Sequence, residues 1–177
     1  MQLIIDLPPR QEQLELNRTR WAEVVADRTL AQLPYRVETN AFGQITMNPP
    51  ASGDHSKRQT EIVIELARLA NGQPLAECPI STLDGVKAAD AAWYSVERFA
   101  QVEGQIAFET APEICVEVLS PGNTIAEMQT KRRLYFNAGA EEVWECNLEG
   151  AMSYYHREEP DEPKNNSKRF PGFPDSF

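Results

Sequence analysis

Between Gln11 and Leu33, the apolar residues Leu14, Trp21, Val24, Val25 and Leu33 recur at spacings near three and four, with charges in between. That period predicts an amphipathic helix over 11–33, ended by Pro34 and packed on the main body. Tyr35 to Asn40 and Gln44 to Met47 are short strand-like runs joined through Gly43, which predicts a hairpin. Pro49, Pro50 and Gly53 break the pattern, and helical spacing returns from Asp54 to Leu69 through Ile62, Leu66 and Leu69, closed by Asn71-Gly72. A second hairpin follows, with arms Leu75 to Leu83 and Val86 to Tyr94 around Asp84-Gly85, a dipeptide suited to a type I′ turn.

Glu113 to Leu119 reads EICVEVL, nearly continuous β-branched and apolar sequence, which predicts a central strand covered on both faces. Thr124 to Ala138 is the best-marked helix, because Thr124 and Glu127 have capping-box spacing and Gly139 supplies a left-handed residue at the end. Glu142 to Asn147 and Met152 to His156 read as strands, whereas Glu158 to Arg169 is charged, contains prolines and reads as mobile. The order predicts one α/β domain over 1–177: an N-terminal helix at 11–33, a mixed-sheet core at 35–156 and a mobile segment at 157–177.

Composition narrows the class. A chain of 177 residues with 41% hydrophobic and 25% charged positions has the balance of a single soluble, cytoplasmic domain. MQLIIDLPPR lacks a basic leader and a cleavage site, so no signal peptide is expected, and no apolar stretch is long enough for a membrane span. Cys78, Cys115 and Cys146 are odd in number and far apart, which predicts buried free thiols rather than disulfides or a zinc site. A formal net charge of −10 opposes broad attraction to nucleic acid.

Three charges sit where the pattern expects interior positions, and a buried charge must be compensated. Glu117 stands between Val116 and Val118, Asp90 lies among alanines, and Lys131 falls on the helix face of Ile125, Met128, Tyr135 and Ala138. Arg132 and Arg133 are expected to point outward. One reading is a structural ion pair between Lys131 and one of the acids. The other is a catalytic site, in which two carboxylates on adjacent strands chelate Mg²⁺ (or Mn²⁺) and an ammonium orients the activated water.

EVLSPGNTIAEMQTKRRLYFNAGAEEVWECN also resembles the core signature of the bacterial "putative restriction endonuclease" family of the PD-(D/E)xK nuclease superfamily. The likeness is specific across 113–150 and extends, more weakly, over most of the chain. It implies a restriction-endonuclease-like α/β fold, a mixed β-sheet flanked by α-helices, with acids at Asp90 and Glu117 holding a divalent ion. The superfamily's lysine usually stands two residues after the second acid. Here Leu119 occupies that place, and the resemblance implies that the lysine has moved to Lys131. Glu38 matches an acidic position used as an auxiliary ligand. Ala89 replaces the proline of the motif, and Asn147 stands where the family commonly has Asp.

The expectation is therefore a Mg²⁺-dependent endodeoxyribonuclease. Asp90, Glu117, the backbone carbonyl of Val118 and Glu38 would hold metal, and Lys131 would position water. Lys57, Arg58, Arg132 and Arg133 are the basic groups that could meet phosphates of DNA. The acidic surface points to a homodimer or a partner protein. The alternatives are a catalytically silent nuclease fold acting as a binding or assembly module, and an acidic interaction protein whose buried charges are structural. His55 could be a base or a ligand, but also a surface or capping residue; His156 has no evident partner, and Ser120 lacks a hydrolase elbow.

Overall fold

A computed structural model describes residues 9–69 and 71–177. The reading of the first ten residues as no signal peptide therefore falls almost wholly outside the described part. The described residues form two sheets: a hairpin of β1 (Arg36–Thr39) and β2 (Ile45–Asn48), and a six-stranded sheet in the order β3-β4-β5-β6-β7-β8. Its strands are Gly72–Thr82, Gly85–Ser95, Ile114–Val118, Glu142–Cys146, Met152–His156 and Glu159–Lys164. Only β5 and β6 run parallel, connected by helix α4 (Ile125–Ala138); the other neighbours are antiparallel, so the mixed sheet with flanking helices is as expected. None of the described helices is long and apolar enough to cross a membrane.

The sheet has apolar packing on both faces. Tyr94, Cys115, Tyr135, Phe136 and Val143 form the core beneath α4, and Val102 adds α3 (Val96–Val102) to it. Ile62 and Leu66 of α2 (Gly53–Leu69) pack on the other face with Trp93, Val116 and Trp144. The near-continuous apolar run of β5 is explained by this double cover. Ile114, Val116 and Val118 face α2, while Cys115 faces the α4 side and Glu117 meets side chains of α4. Cys78, Cys115 and Cys146 are free and buried.

Four expectations change. The first helix, α1 (Arg10–Ala26), stops before Pro34 because Asp27 accepts the backbone N–H groups of Thr29 and Leu30 at 2.7 and 3.1 Å and opens a separate 3₁₀ turn, Leu30–Gln32. The β3–β4 turn is not type I′: Thr82 pairs with Gly85, and Gly85 alone lies at positive φ (+78°), as in a turn followed by a glycine bulge. A Cβ at Gly85 would stand 2.4 Å from the Thr39 carbonyl oxygen, so the bare backbone lets β1 lie against β4. Ile125 is exposed at the start of α4 rather than on its buried face.

The segment expected to be mobile instead supplies β8. Its charges and prolines suit an outermost strand, where unpaired backbone groups meet water. Beyond it, Phe170 packs edge-on against Trp93 at 5.1 Å and Phe173 against Trp144 at 4.6 Å.

Candidate active site

Glu38, Asp90, Glu117 and Lys131 converge although they come from β1, β4, β5 and α4. The separate hairpin is seated on β4 by polar contacts rather than by a strand ladder. Thr39 Oγ1 accepts the Val86 N–H at 2.9 Å, the Thr39 carbonyl accepts Lys87 Nζ at 2.9 Å, and Glu38 Oε1 accepts the Ala88 N–H at 3.1 Å. Lys131 lies on the inner face of α4, where its Nζ stands 3.1 Å from Glu117 Oε2 and 3.4 Å from Glu38 Oε1. Tyr135, one turn later, donates its hydroxyl to Glu117 Oε1.

Asp90 is only 1% exposed. Its Oδ2 accepts the Val118 N–H at 2.7 Å and faces His55 Nε2 at 3.4 Å, while its Oδ1 is gripped by Arg36. The backbone is distorted opposite it. Ala76 pairs with Ala91 and Cys78 with Ala89, yet Glu77 between them lies at φ +50°, a conformation costly for a residue with a Cβ. Gln59 of α2 spans this point, donating to the Asp90 carbonyl at 2.8 Å and to Glu77 Oε1 at 2.9 Å. A cavity of about 330 Å³ opens here, and Asp90, Glu117, Val118 and Lys131 line it together with Arg36 and His55.

The charges divide unequally. Burial raises the Asp90 pKa, but His55, Arg36 and the Val118 N–H outweigh it and hold the group below its ordinary value. Glu117 goes the other way, to about 7, because burial and the Asp90 charge exceed the help of Lys131 and Arg36. Burial opposes the charge on Lys131, yet Glu117 and Glu38 together raise its pKa, so one ammonium stays ionised between two carboxylates. The hydrogen bond to Asp90 raises His55. Among the described residues no three His, Cys, Asp or Glu side chains are grouped to hold a metal ion as they stand; Asp90 and Glu117 are among the oxygen donors lining the cavity, the class that suits a small hard divalent cation.

The basic groups proposed for phosphates are elsewhere. Lys57 is exposed and pairs with Glu61, and Arg58 lies near Gly150; neither lines the cavity. Arg132 does not point outward: it is 4% exposed, pairs with Glu145 and lies over the Tyr155 ring at 3.9 Å. Arg133 is exposed, 3.2 Å from Asp161. Conversely, Arg36, Glu77 and Tyr135 belong to the site and were not singled out for it by sequence, whereas His55, which the sequence left open between a base or ligand and a surface or capping residue, stands at Asp90. Arg36 had a usable signal, since residues two apart in a strand share a face and Glu38 was already a candidate. His156 is buried on β7, far along the sheet from β4, with neither ring nitrogen bonded.

Residues 27–174 match the profile of the Uma2 family, described as "Putative restriction endonuclease". Among solved structures, the chain is similar to one titled as a putative nuclease belonging to DUF820 from Anabaena variabilis, with a TM-score of 0.62 at 20% identity, covering 76% of this chain and 79% of that one. No curated protein matches.

Proposed function

The chain belongs to the Uma2 family of "Putative restriction endonuclease" proteins, and from that premise we propose that it is a Mg²⁺-dependent endodeoxyribonuclease hydrolysing phosphodiester bonds. One observation carries this reading: the buried acids Asp90 and Glu117 line one open cavity with Lys131, whose ammonium pairs with Glu117 and with the buried Glu38. Arg36 already partners Asp90 and Lys131 already partners Glu117; burial, with the Asp90 charge added, still lifts Glu117 to about 7, so a further cation beside these acids is accommodated by the charge balance.

Asp90 and Glu117 would hold the ion, with the Val118 carbonyl as a further donor and Glu38 as an auxiliary one. Bound there, Mg²⁺ or Mn²⁺ supplies Lewis acidity toward a phosphate and a nucleophilic water at neutral pH. Lys131 would orient the attacking water and balance charge developing on the phosphate. Tyr135 fixes the Glu117 carboxylate, and His55 with the Val118 N–H fixes that of Asp90, so both acids are set before substrate arrives. With a net charge of −10, the chain has little basic surface of its own, which favours a homodimer or a partner protein in completing the DNA path.

Plasmid and single-stranded DNA incubated with Mg²⁺, Mn²⁺ or EDTA test the reading. Cleavage should require metal and fall by about 10²- to 10⁴-fold in Lys131→Met. Asp90→Asn and Glu117→Gln should abolish it. Metal-dependent cutting that survives in Asp90→Asn would overturn the assignment, and DNA binding without cutting in the parent would favour a silent binding module.

A further inference from the structure

Arg36 occupies the place where a cation would be needed. Its guanidinium holds Asp90 Oδ1, and the other oxygen of that carboxylate is committed to the Val118 N–H and His55. These partners differ in freedom. The Val118 N–H is fixed in β5 and His55 is buried in the first turn of α2, whereas the Arg36 side chain is one-quarter exposed and rooted in the separate hairpin. Arg36 also has a second carboxylate within reach: Glu77 Oε2 lies 3.5 Å away, about half exposed, on the cavity wall. An arginine cannot leave an acid by losing its proton, because the guanidinium stays charged in proteins. It can only move.

We propose that Arg36 is a displaceable counter-ion: it neutralises Asp90 in the metal-free site, yields Oδ1 when a divalent cation arrives, and turns to Glu77 and the open cavity. The proposal rests on the metal-binding reading above and adds a residue that reading does not use. Displacement has two results. The apparent metal affinity is lowered by the cost of breaking the Arg36–Asp90 contact, since a ligand that must first shift an equilibrium binds more weakly by that factor. And loading the metal delivers a planar, five-donor cation to the cavity, suited to a phosphate group, in a chain otherwise poor in free basic side chains there.

The test follows the arginine itself. Side-chain Nε–Hε NMR on the parent protein, with the Arg36 signal identified by its loss in Arg36→Lys, is recorded during a Mg²⁺ titration alongside calorimetry. The Arg36 signal should shift and sharpen with the same midpoint as the heat. In metal-free Asp90→Asn it should already show the released behaviour. Arg36→Met should bind Mg²⁺ about tenfold more tightly or better, the equivalent of breaking one charge pair of about 1.4 kcal/mol. Metal binding by calorimetry with the Arg36 signal unmoved would overturn the exchange. An absence of binding heat in the parent and in Arg36→Met would instead overturn the metal reading, and the exchange with it.

Discussion

Replacing Lys131 by methionine keeps the length of the side chain and removes the ammonium from between Glu117 and Glu38, 3.1 and 3.4 Å away. Both acids are at least nine-tenths buried, so water cannot take over. Breaking a buried pair by deleting one partner costs about 3–5 kcal/mol. For a chain of this size each kcal/mol moves the melting temperature by about 2–4 °C, so a fall of roughly 6–20 °C is expected in EDTA. The loss depends on pH. Glu117 is raised from 4.5 to about 7 in the folded protein, so between those values the folded state retains a proton that the unfolded state gives up. Its contribution to stability is present at low pH and declines as pH rises through that window. Without Lys131 the folded pKa rises further, and the decline extends to higher pH. Urea denaturation of Lys131→Met should therefore show a modest penalty near pH 6 and the full one near pH 8.5. Adding Glu117→Gln should recover much of it, and the double-mutant cycle should give strong coupling. A Lys131→Met protein as stable as its parent at pH 8.5 would refute the burial and charge argument.

Three further outcomes are expected. Mg²⁺ or Mn²⁺ should raise the melting temperature of the parent, because a ligand bound only by the native state adds to its stability, and scanning calorimetry should find no such rise in Asp90→Asn or Glu117→Gln. Arg132→Ala should destabilise the fold by about 3 kcal/mol through the lost Glu145 pair, whereas the exposed Arg133→Ala should cost under about 1 kcal/mol; urea midpoints that coincide would contradict the buried placement of Arg132. Phe173→Ala should cost about 3–5 kcal/mol by the same measurement, since its ring fills space against Trp144, and a neutral result would mean that the C-terminal segment is not part of the core.

The acids were legible because each violates a simple pattern. Glu117 interrupts an apolar strand, and Lys131 falls on the inward period of a helix. Arg36 was hidden because an arginine in a short hairpin strand reads as surface, and its burial depends on how the hairpin sits on β4, which no local pattern encodes. His55 was only half legible: a histidine at a helix start reads as a cap as well as a base or ligand until α2 is placed over Asp90. The misreading of Arg132 came from a different source. Lys131, Arg132 and Arg133 are consecutive, so one inward lysine suggests outward arginines, unless a further layer covers the next sector of the helix. That layer is built from β6, β7 and β8: Glu145 pairs with Arg132, the guanidinium lies over the Tyr155 ring, and the Pro160 carbonyl of β8 accepts Arg132 Nε at 3.2 Å. β8 is the part of it the sequence hid, because its charges and prolines imitate a mobile tail.

Gly85 bears no functional group, yet it faces a stricter steric limit than any acid of the site. A side chain there would collide with the Thr39 and Asn40 carbonyl oxygens at 2.4 and 2.6 Å, lifting the strand that carries Arg36 and Glu38. In a library of variants selected for activity, every substitution at Gly85 should be lost as completely as those at Asp90, although glycine takes part in no chemical step. Intolerance to change along this chain would then mark two different obligations, supplying a charge and leaving a gap, and only the stability of the purified variants would tell them apart.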